Sequence, residues 1–447
     1  MSPEIIVLIV VITALIFDFT NGFHDAANAM ATSVATGAFK PKVAVLLAAI
    51  MNLIGAFLAT EVALTISKGI VDDAKILPET VFAALVGAIL WNLVTWLFGL
   101  PSSSSHALFG ALIGAVLVQA GAGLSGIHFD AVVSKILLPA IVAPLVAGLA
   151  SYAATKVAYH GQHNAPKDAR RRYRMAQRVS SLLVALSHGT NDGQKTMGVI
   201  TLVLVAGTLQ MQQAGLPTAW WGQAPGTAPH WWVIVAAGLA IALGTYSGGW
   251  RIMRTMGKGM ADIESPQGFA AETASMAAIL ASSYLGFGLS TTHVVSGAVM
   301  GTGMARTPKE VRWSTAGRMG IAWLLTLPAA GVVAALATLL AHAGTTGFLS
   351  VILLLVVGAV AIKIIASRHH VSAENVTDTH EVKVLAKAAL TTQTSPIPNP
   401  FMVALPDKIA DHPMAHTPLR LTRLKKPKKK ARPKVKARTR IRGSRNA

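Results

Sequence analysis

Apolar residues fill this chain in long blocks rather than at alternating or amphipathic positions. Val43 to Leu64, Val81 to Leu100, Ile136 to Ala158, Val233 to Tyr246, Ala316 to Leu340 and Phe348 to Ala366 carry almost no charge. Most approach the ~20 residues an α-helix needs to cross a ~30 Å hydrocarbon layer. A backbone in lipid must pair its own N–H and C=O groups, so such blocks predict helices. Ile5 to Phe17 is a further run without a basic leader or a small-residue cleavage site, and is read as a helix rather than a signal peptide. The pattern predicts an all-α polytopic membrane protein with about ten to twelve membrane segments.

Four polar stretches interrupt these blocks: Asn21 to Asn28, Ser102 to His106, His188 to Lys195 and Ser290 to His293. They fall into two pairs. "GFHDAANAMATSVATG" (Gly22 to Gly37) aligns with "GTNDGQKTMGVITLVL" (Gly189 to Leu204), which sets Asp25 on Asp192 and Asn28 on Lys195. "GLPSSSSHALFGALIGA" (Gly99 to Ala115) aligns with "GFGLSTTHVVSGAVMGT" (Gly286 to Thr302), which sets His106 on His293 and Gly110 and Gly114 on Gly297 and Gly301. Internal similarity with polar breaks at equivalent places is a transporter pattern.

Charge orients the halves. Lys and Arg collect in cytoplasmic loops, which puts Lys40 and Lys42, the segment Gly161 to Arg178, Arg251 to Lys258 and Arg306 to Arg312 inside. The uncharged Gln212 to Pro229 and the loop near Gly344 fall outside. Each half then makes an odd number of passes, so the expected architecture is two inverted-topology repeats with broken helices or re-entrant hairpins. The expected boundaries are a first repeat over 1–160, a cytoplasmic basic linker over 161–178 and a second repeat over 179–341. An additional transmembrane helix over 342–366 and a disordered basic cytoplasmic tail over 367–447 follow.

Each polar stretch has its own chemistry. Ser103, Ser104 and Ser105 fall at a helix start behind Pro101, and Ser290, Thr291 and Thr292 repeat the arrangement. Unpaired first-turn N–H groups, a positive helix end and hydroxyls suit a tetrahedral oxyanion; plain capping is the bland alternative. Asp25 and Asp192, with Asn21, Asn28 and Asn191, offer the oxygens a small hard cation wants, or a proton relay. Glycines in these motifs are expected to break the helix. Lys195 is placed either beside the anion or against Asp192. Glu272, a lone acid in an apolar helix, joins the cation or proton path, ahead of the weaker Asp18 and Glu61. His24, His106, His188 and His293 are proton carriers or structural hydrogen-bonding groups. Gly110 and Gly114 read as close helix packing.

Composition agrees and narrows the partners. Of 447 residues, 53% are hydrophobic and 13% charged, half the charge usual for a soluble domain. There is no cysteine, which excludes disulfides and thiolate metal sites. The net charge of +20 is concentrated: fourteen Lys or Arg and no acid lie between Arg420 and Ala447. That tail is read as a solvated segment able to touch anionic lipids, with no specific nucleic acid expected.

"NGFHDAANA", "GLPSSSSH", "SHGTNDGQK" and "GLSTTH", in this order, resemble the inorganic phosphate transporter (PiT) family over about Ile5 to Leu340. The resemblance implies a plasma-membrane symporter of inorganic phosphate with H⁺ or Na⁺, no cofactor, and no enzyme activity. It implies that Asp25, Asn28, Asn191 and Asp192 with Ser103, Ser104, Ser105, Ser290, Thr291 and Thr292 form the central site, and that Glu272 matches a family acid. Taken with the residue chemistry, the phosphate ligands are expected to be these Ser/Thr residues with Asn28 and Lys195, and the cation or proton path to run through Asp25, Asn21, Asn191, Asp192 and Glu272. The "FHDAANA…NDGQK" form is similar to the bacterial low-affinity branch, which resembles proton symporters taking a divalent metal–phosphate complex. Lys195 in place of an amide favours H⁺. No dedicated metal site is expected, and homo-oligomerisation stays open. The rival readings are a sulfate or arsenate transporter, an intramembrane serine hydrolase, and a regulatory scaffold acting through its tail.

Overall fold

The apolar blocks form helices in the computed structural model, which describes residues 1–160, 169–368 and 371–377. The first half supplies α1 (Pro3–Ala35), α2 (Pro41–Gly55), α3 (Glu61–Gly69), α4 (Pro78–Leu97), α5 (Ser104–Val118), α6 (Phe129–Val132) and α7 (Leu138–His160). The second supplies α8 (Ala169–Gln213), α9 (Trp231–Ser247), α10 (Trp250–Arg254), α11 (Ser265–Tyr284), α12 (Thr291–Arg306) and α13 (Trp313–Ala341), and α14 (Gly344–Ser367) follows. Proline stands in the first turn of α1, α2, α4 and α11, where its missing N–H costs nothing. Among the described residues the only extended pairing is two isolated bridges, Val71 with Ile127 and Ala261 with Val311.

Five helical segments are long and apolar enough to cross a bilayer: α1, α4, Phe129–His160, α13 and α14. Trp231–Ser247 with Trp250–Gly259, bent by 60°, makes a sixth. Leu145, Leu149, Leu324 and Leu353 face outward from α7, α13 and α14, an apolar surface suited to lipid. This is a multi-pass helical membrane protein. At 15 residues, α5 is about 22 Å long, too short to cross alone.

Contacts recur in pairs. α5 packs most extensively on α13 and α12 on α7, while α1 lies against α9 and α8 against α2. A Cβ on Gly114 would fall 2.2 Å from the Gly331 carbonyl oxygen, and one on Gly301 would fall 2.1 Å from that of Gly148. The expected close packing at these glycines is therefore present in both halves. The reversals before α5 and α12 also match. Gly99 (φ 62°) and Gly286 (φ 71°) end α4 and α11 with the same pair of hydrogen bonds. Leu100 N–H donates to Thr95 and Phe287 N–H to Ser282, each at 2.9 Å, a left-handed helix stop that L side chains resist.

The structure corrects four expectations. Val43 to Leu64 is not one helix: α2 stops at Gly55 and α3 starts at Glu61, whose carboxylate accepts the Thr60 N–H at 3.0 Å. The Asn–Asp motifs do not break their helices; α1 and α8 run straight through them. Their glycines serve close approach instead, since a Cβ on Gly22 would lie 2.4 Å from the Ile241 oxygen and one on Gly189 2.2 Å from that of Asn52. The basic segment expected as linker is helical from Ala169 onward, and residues 161–168 lie outside the described residues. Of the expected tail, residues 371–377 join the body: Val376 is buried and the Asn375 carbonyl accepts from Arg254 at 3.0 Å. Ser367 still belongs to α14, and residues 369–370 and 378–447, including the basic segment Arg420 to Ala447, lie outside the described residues.

Overpacking a close helix contact costs about 1–3 kcal/mol or more. Gly114→Leu is therefore expected to lower the thermal unfolding temperature in detergent, whereas Gly317→Ala, which meets nothing within 4 Å and favours the helix, does not lower it.

Candidate functional site

The site forms where α1 and α8 pass the starts of α5 and α12. Spacing of three and four residues lines Asp18, Asn21, Asp25, Asn28 and Thr32 along one face of α1, and His188, Asp192 and Lys195 along one face of α8. All of these side chains are buried. The Gly99 and Gly286 reversals bring both Ser/Thr stretches to the same faces.

Ser103 and Ser290 take the N-cap positions, accepting the N–H of His106 at 3.1 Å and of His293 at 3.2 Å. Their hydroxyl oxygens are thus used as caps, and the bland reading holds for these two. The next residues point across the site. Ser104 donates to Asp25 at 2.7 Å, and its counterpart Thr291 donates to Asp192 at 3.4 Å. Asn28 donates to Thr292 at 2.9 Å and to Thr291 at 3.1 Å. In the equivalent place Lys195 donates to Ser105 at 2.5 Å. Asn28 and Lys195 therefore reach the Ser/Thr stretch of the opposite half, whereas Asp25 and Asp192 reach that of their own. Lys195 also donates to the Leu289 carbonyl at 2.9 Å, which Ser105 shares at 3.2 Å. The two helix starts are in contact.

Of its two expected places, Lys195 takes the one against Asp192, pairing with it at 2.5 Å in addition to its bond to Ser105. His188 Nε2 lies 3.2 Å from the other Asp192 oxygen without hydrogen-bond alignment, while its Nδ1 meets Asn52 at 3.2 Å. His24 pairs with Asp25 at 2.6 Å and reaches Thr95 and Ser102. Its counterpart Asn191 donates to Ser283 at 3.1 Å. His106 and His293 stack edge to face with ring centroids 4.6 Å apart, and His293 lies against Trp323. Asp25, His188 and Asp192 bring ligand atoms within 4.8 Å of one another. This oxygen–nitrogen set fits a small cation chemically, although Lys195 already holds one carboxylate oxygen.

Glu272 is not at this centre. It accepts from Thr32 at 2.6 Å, Gln177 at 3.1 Å and Ser180 at 2.5 Å, and so forms a separate polar cluster. Asn21 makes no hydrogen bond to the central groups. Sequence reasoning missed Thr95 and Asn52, which with Ser102 orient the histidines. Thr95 was legible only as a polar residue in the last turns of an apolar helix.

Chemically, the centre offers hydroxyls and first-turn N–H groups from two helix starts, two carboxylates and one ammonium. Removing one partner of a buried ion pair leaves the other uncompensated, a loss of about 3–5 kcal/mol. Lys195→Met is therefore expected to lower the unfolding temperature strongly, and adding Asp192→Asn to restore part of it. Equal melting of single and double variants would contradict the pairing.

The sequence profile of the Phosphate transporter family matches residues 21–172 and 158–334. A protein of Mycobacterium tuberculosis (strain ATCC 25618 / H37Rv) named "Probable low-affinity inorganic phosphate transporter" is 52% identical over 338 residues, 75% of this chain and 78% of that one. A protein of the same name from Bacillus subtilis (strain 168) is 40% identical over 336 residues, 74% of this chain and 96% of that one. A solved structure described as "The sodium-dependent phosphate transporter" shares the fold with a TM-score of 0.64 at 24% identity, covering 74% of this chain and 98% of its own. These proteins are transporters, not enzymes. With the profile matched over most of its length and relatives at 40–52% identity, the chain belongs to the phosphate transporter family.

Proposed function

We propose that the protein is a cell-membrane symporter that carries inorganic phosphate with a cation by alternating access of two inverted repeats. The observation that carries this reading is the meeting of the α5 and α12 starts around Ser105, Thr291, Thr292, Asn28 and Lys195. N–H groups at two helix N-termini, with hydroxyls, replace the hydration shell of a tetrahedral oxyanion. Phosphate takes over the bonds that Ser104, Ser105, Thr291 and Thr292 now make to the protein. The reciprocal helix packing supports the repeats, and the basic loops support their opposite orientation.

Coupling follows from charge. Two carboxylates face one ammonium at the centre, so an anion enters this dry site only with added positive charge. Lys195 stands where the other half has Asn28, so the halves do not offer equal Na⁺ sites; this favours H⁺. Phosphate is preferred over sulfate because a protonated phosphate oxygen donates to a carboxylate such as Asp25 and sulfate has no proton to give.

Labelled phosphate uptake into proteoliposomes tests the reading. Accumulation is expected under an imposed pH gradient, with Asp25→Asn and Asp192→Asn reducing it by at least about tenfold, equivalent to ~1.4 kcal/mol. Uptake indifferent to both pH and Na⁺ gradients, or sulfate competing equally with phosphate, would contradict it.

A further inference from the structure

Four acids are buried among the described residues: Asp18, Asp25, Asp192 and Glu272. Three are satisfied by the protein itself. Asp25 has His24 and Ser104, Asp192 has Lys195 and Thr291, and Glu272 has Thr32, Gln177 and Ser180. Asp18 differs, because neither of its oxygens accepts a hydrogen bond. It faces Asn21, one turn along α1, and Thr196 on α8. Both amide atoms of Asn21 and the Thr196 hydroxyl also make no hydrogen bond, and all three residues are 0% exposed. A buried carboxylate among orphaned polar atoms is too costly to stand alone.

We propose that Asp18, Asn21 and Thr196 form the site of the co-transported monovalent cation. The inference rests on the phosphate–cation reading above and names where the added charge is held. The donors are two carboxylate oxygens, an amide oxygen and a hydroxyl, the hard oxygens that an alkali cation or a proton accepts. α1 and α8 are continuous here, so their carbonyls are committed to the helices and the side chains supply the site. One carboxylate balances one positive charge.

The charged groups within electrostatic reach, Asp192 and Lys195, already pair with each other. α9, packed on α1, carries no Asp, Glu, Lys or Arg, and α4 carries only Glu79 in its first turn. Asp18 lies about 10 Å along α1 from Asp25 by helical rise, on the side of the α1 N-terminus. A cation there neutralises the region beside the phosphate centre without displacing Lys195.

The test uses the full chain in proteoliposomes, with Na⁺ and pH gradients imposed in separate arms. Labelled phosphate counterflow without a gradient is measured alongside. Asp18→Asn keeps the shape of the side chain and removes its charge. It is expected to lose accumulation above equilibrium in whichever arm drives the native protein, while phosphate counterflow persists; Thr196→Val is expected to weaken accumulation in the same arm. The responding arm identifies the cation as Na⁺ or H⁺. Gradient-driven accumulation undiminished in Asp18→Asn overturns the Asp18 site alone. Loss of both activities in Asp18→Asn and in Thr196→Val, with unchanged melting, also overturns it, because phosphate handling itself would then depend on these residues. Absence of counterflow in the native protein removes the phosphate reading, and this inference with it.

Discussion

Asp192 and Lys195 meet at 2.5 Å with both side chains sealed from solvent, and the rest of the centre is arranged around that pair. A charge in the bilayer interior needs an opposite charge and hydrogen bonds within a few ångströms. Two adjacent turns of α8 carry this pair, so the helix has to remain unbroken there. The unbroken helix in turn fixes how Gly189 sits on α2 and how Lys195 reaches Ser105 and Leu289. Asp25 lacks a lysine and uses His24 and Ser104 instead. The halves thus build the same scaffold and fill it with different charges.

That asymmetry shapes what the site can do. Every hydroxyl a phosphate would need is engaged by a carboxylate, an amide, an ammonium or a carbonyl. Binding therefore exchanges one hydrogen-bonded set for another rather than creating bonds from nothing, so the net gain per contact is modest. Such an exchange suits a carrier that must also release its substrate. Ser103 and Ser290 are held as caps, so in the proposed exchange the helix starts stay fixed while their neighbours change partners.

The sequence made the helical class, the two matched motif pairs and the meeting of the Ser/Thr stretches legible, because lipid permits few ways to hide backbone and repeated spacing implies repeated structure. It misplaced the glycines of the Asn–Asp motifs. A glycine beside polar residues reads as a helix break, whereas here its purpose is the approach of another backbone, and the partner strand of chain lies far away in sequence. Glu272 was legible as a buried acid on the cation or proton path, but its partners Thr32, Gln177 and Ser180 were not, because only its depth is visible in one helix. Asp18 looked weak as a lone acid near a run's end. Its spacing to Asn21 and Asp25 was readable, but its lack of a partner is a property of the packed molecule.

The central claim is that one phosphate is clasped by both helix starts at once. Solid-state NMR can measure the dipolar coupling between bound phosphate phosphorus and backbone nitrogens of the membrane-embedded protein, with Ser104 and Ser105 labelled in one sample and Thr291 and Thr292 in another. The account predicts short-range coupling in both samples. Coupling to one helix start only, or to neither, would contradict it.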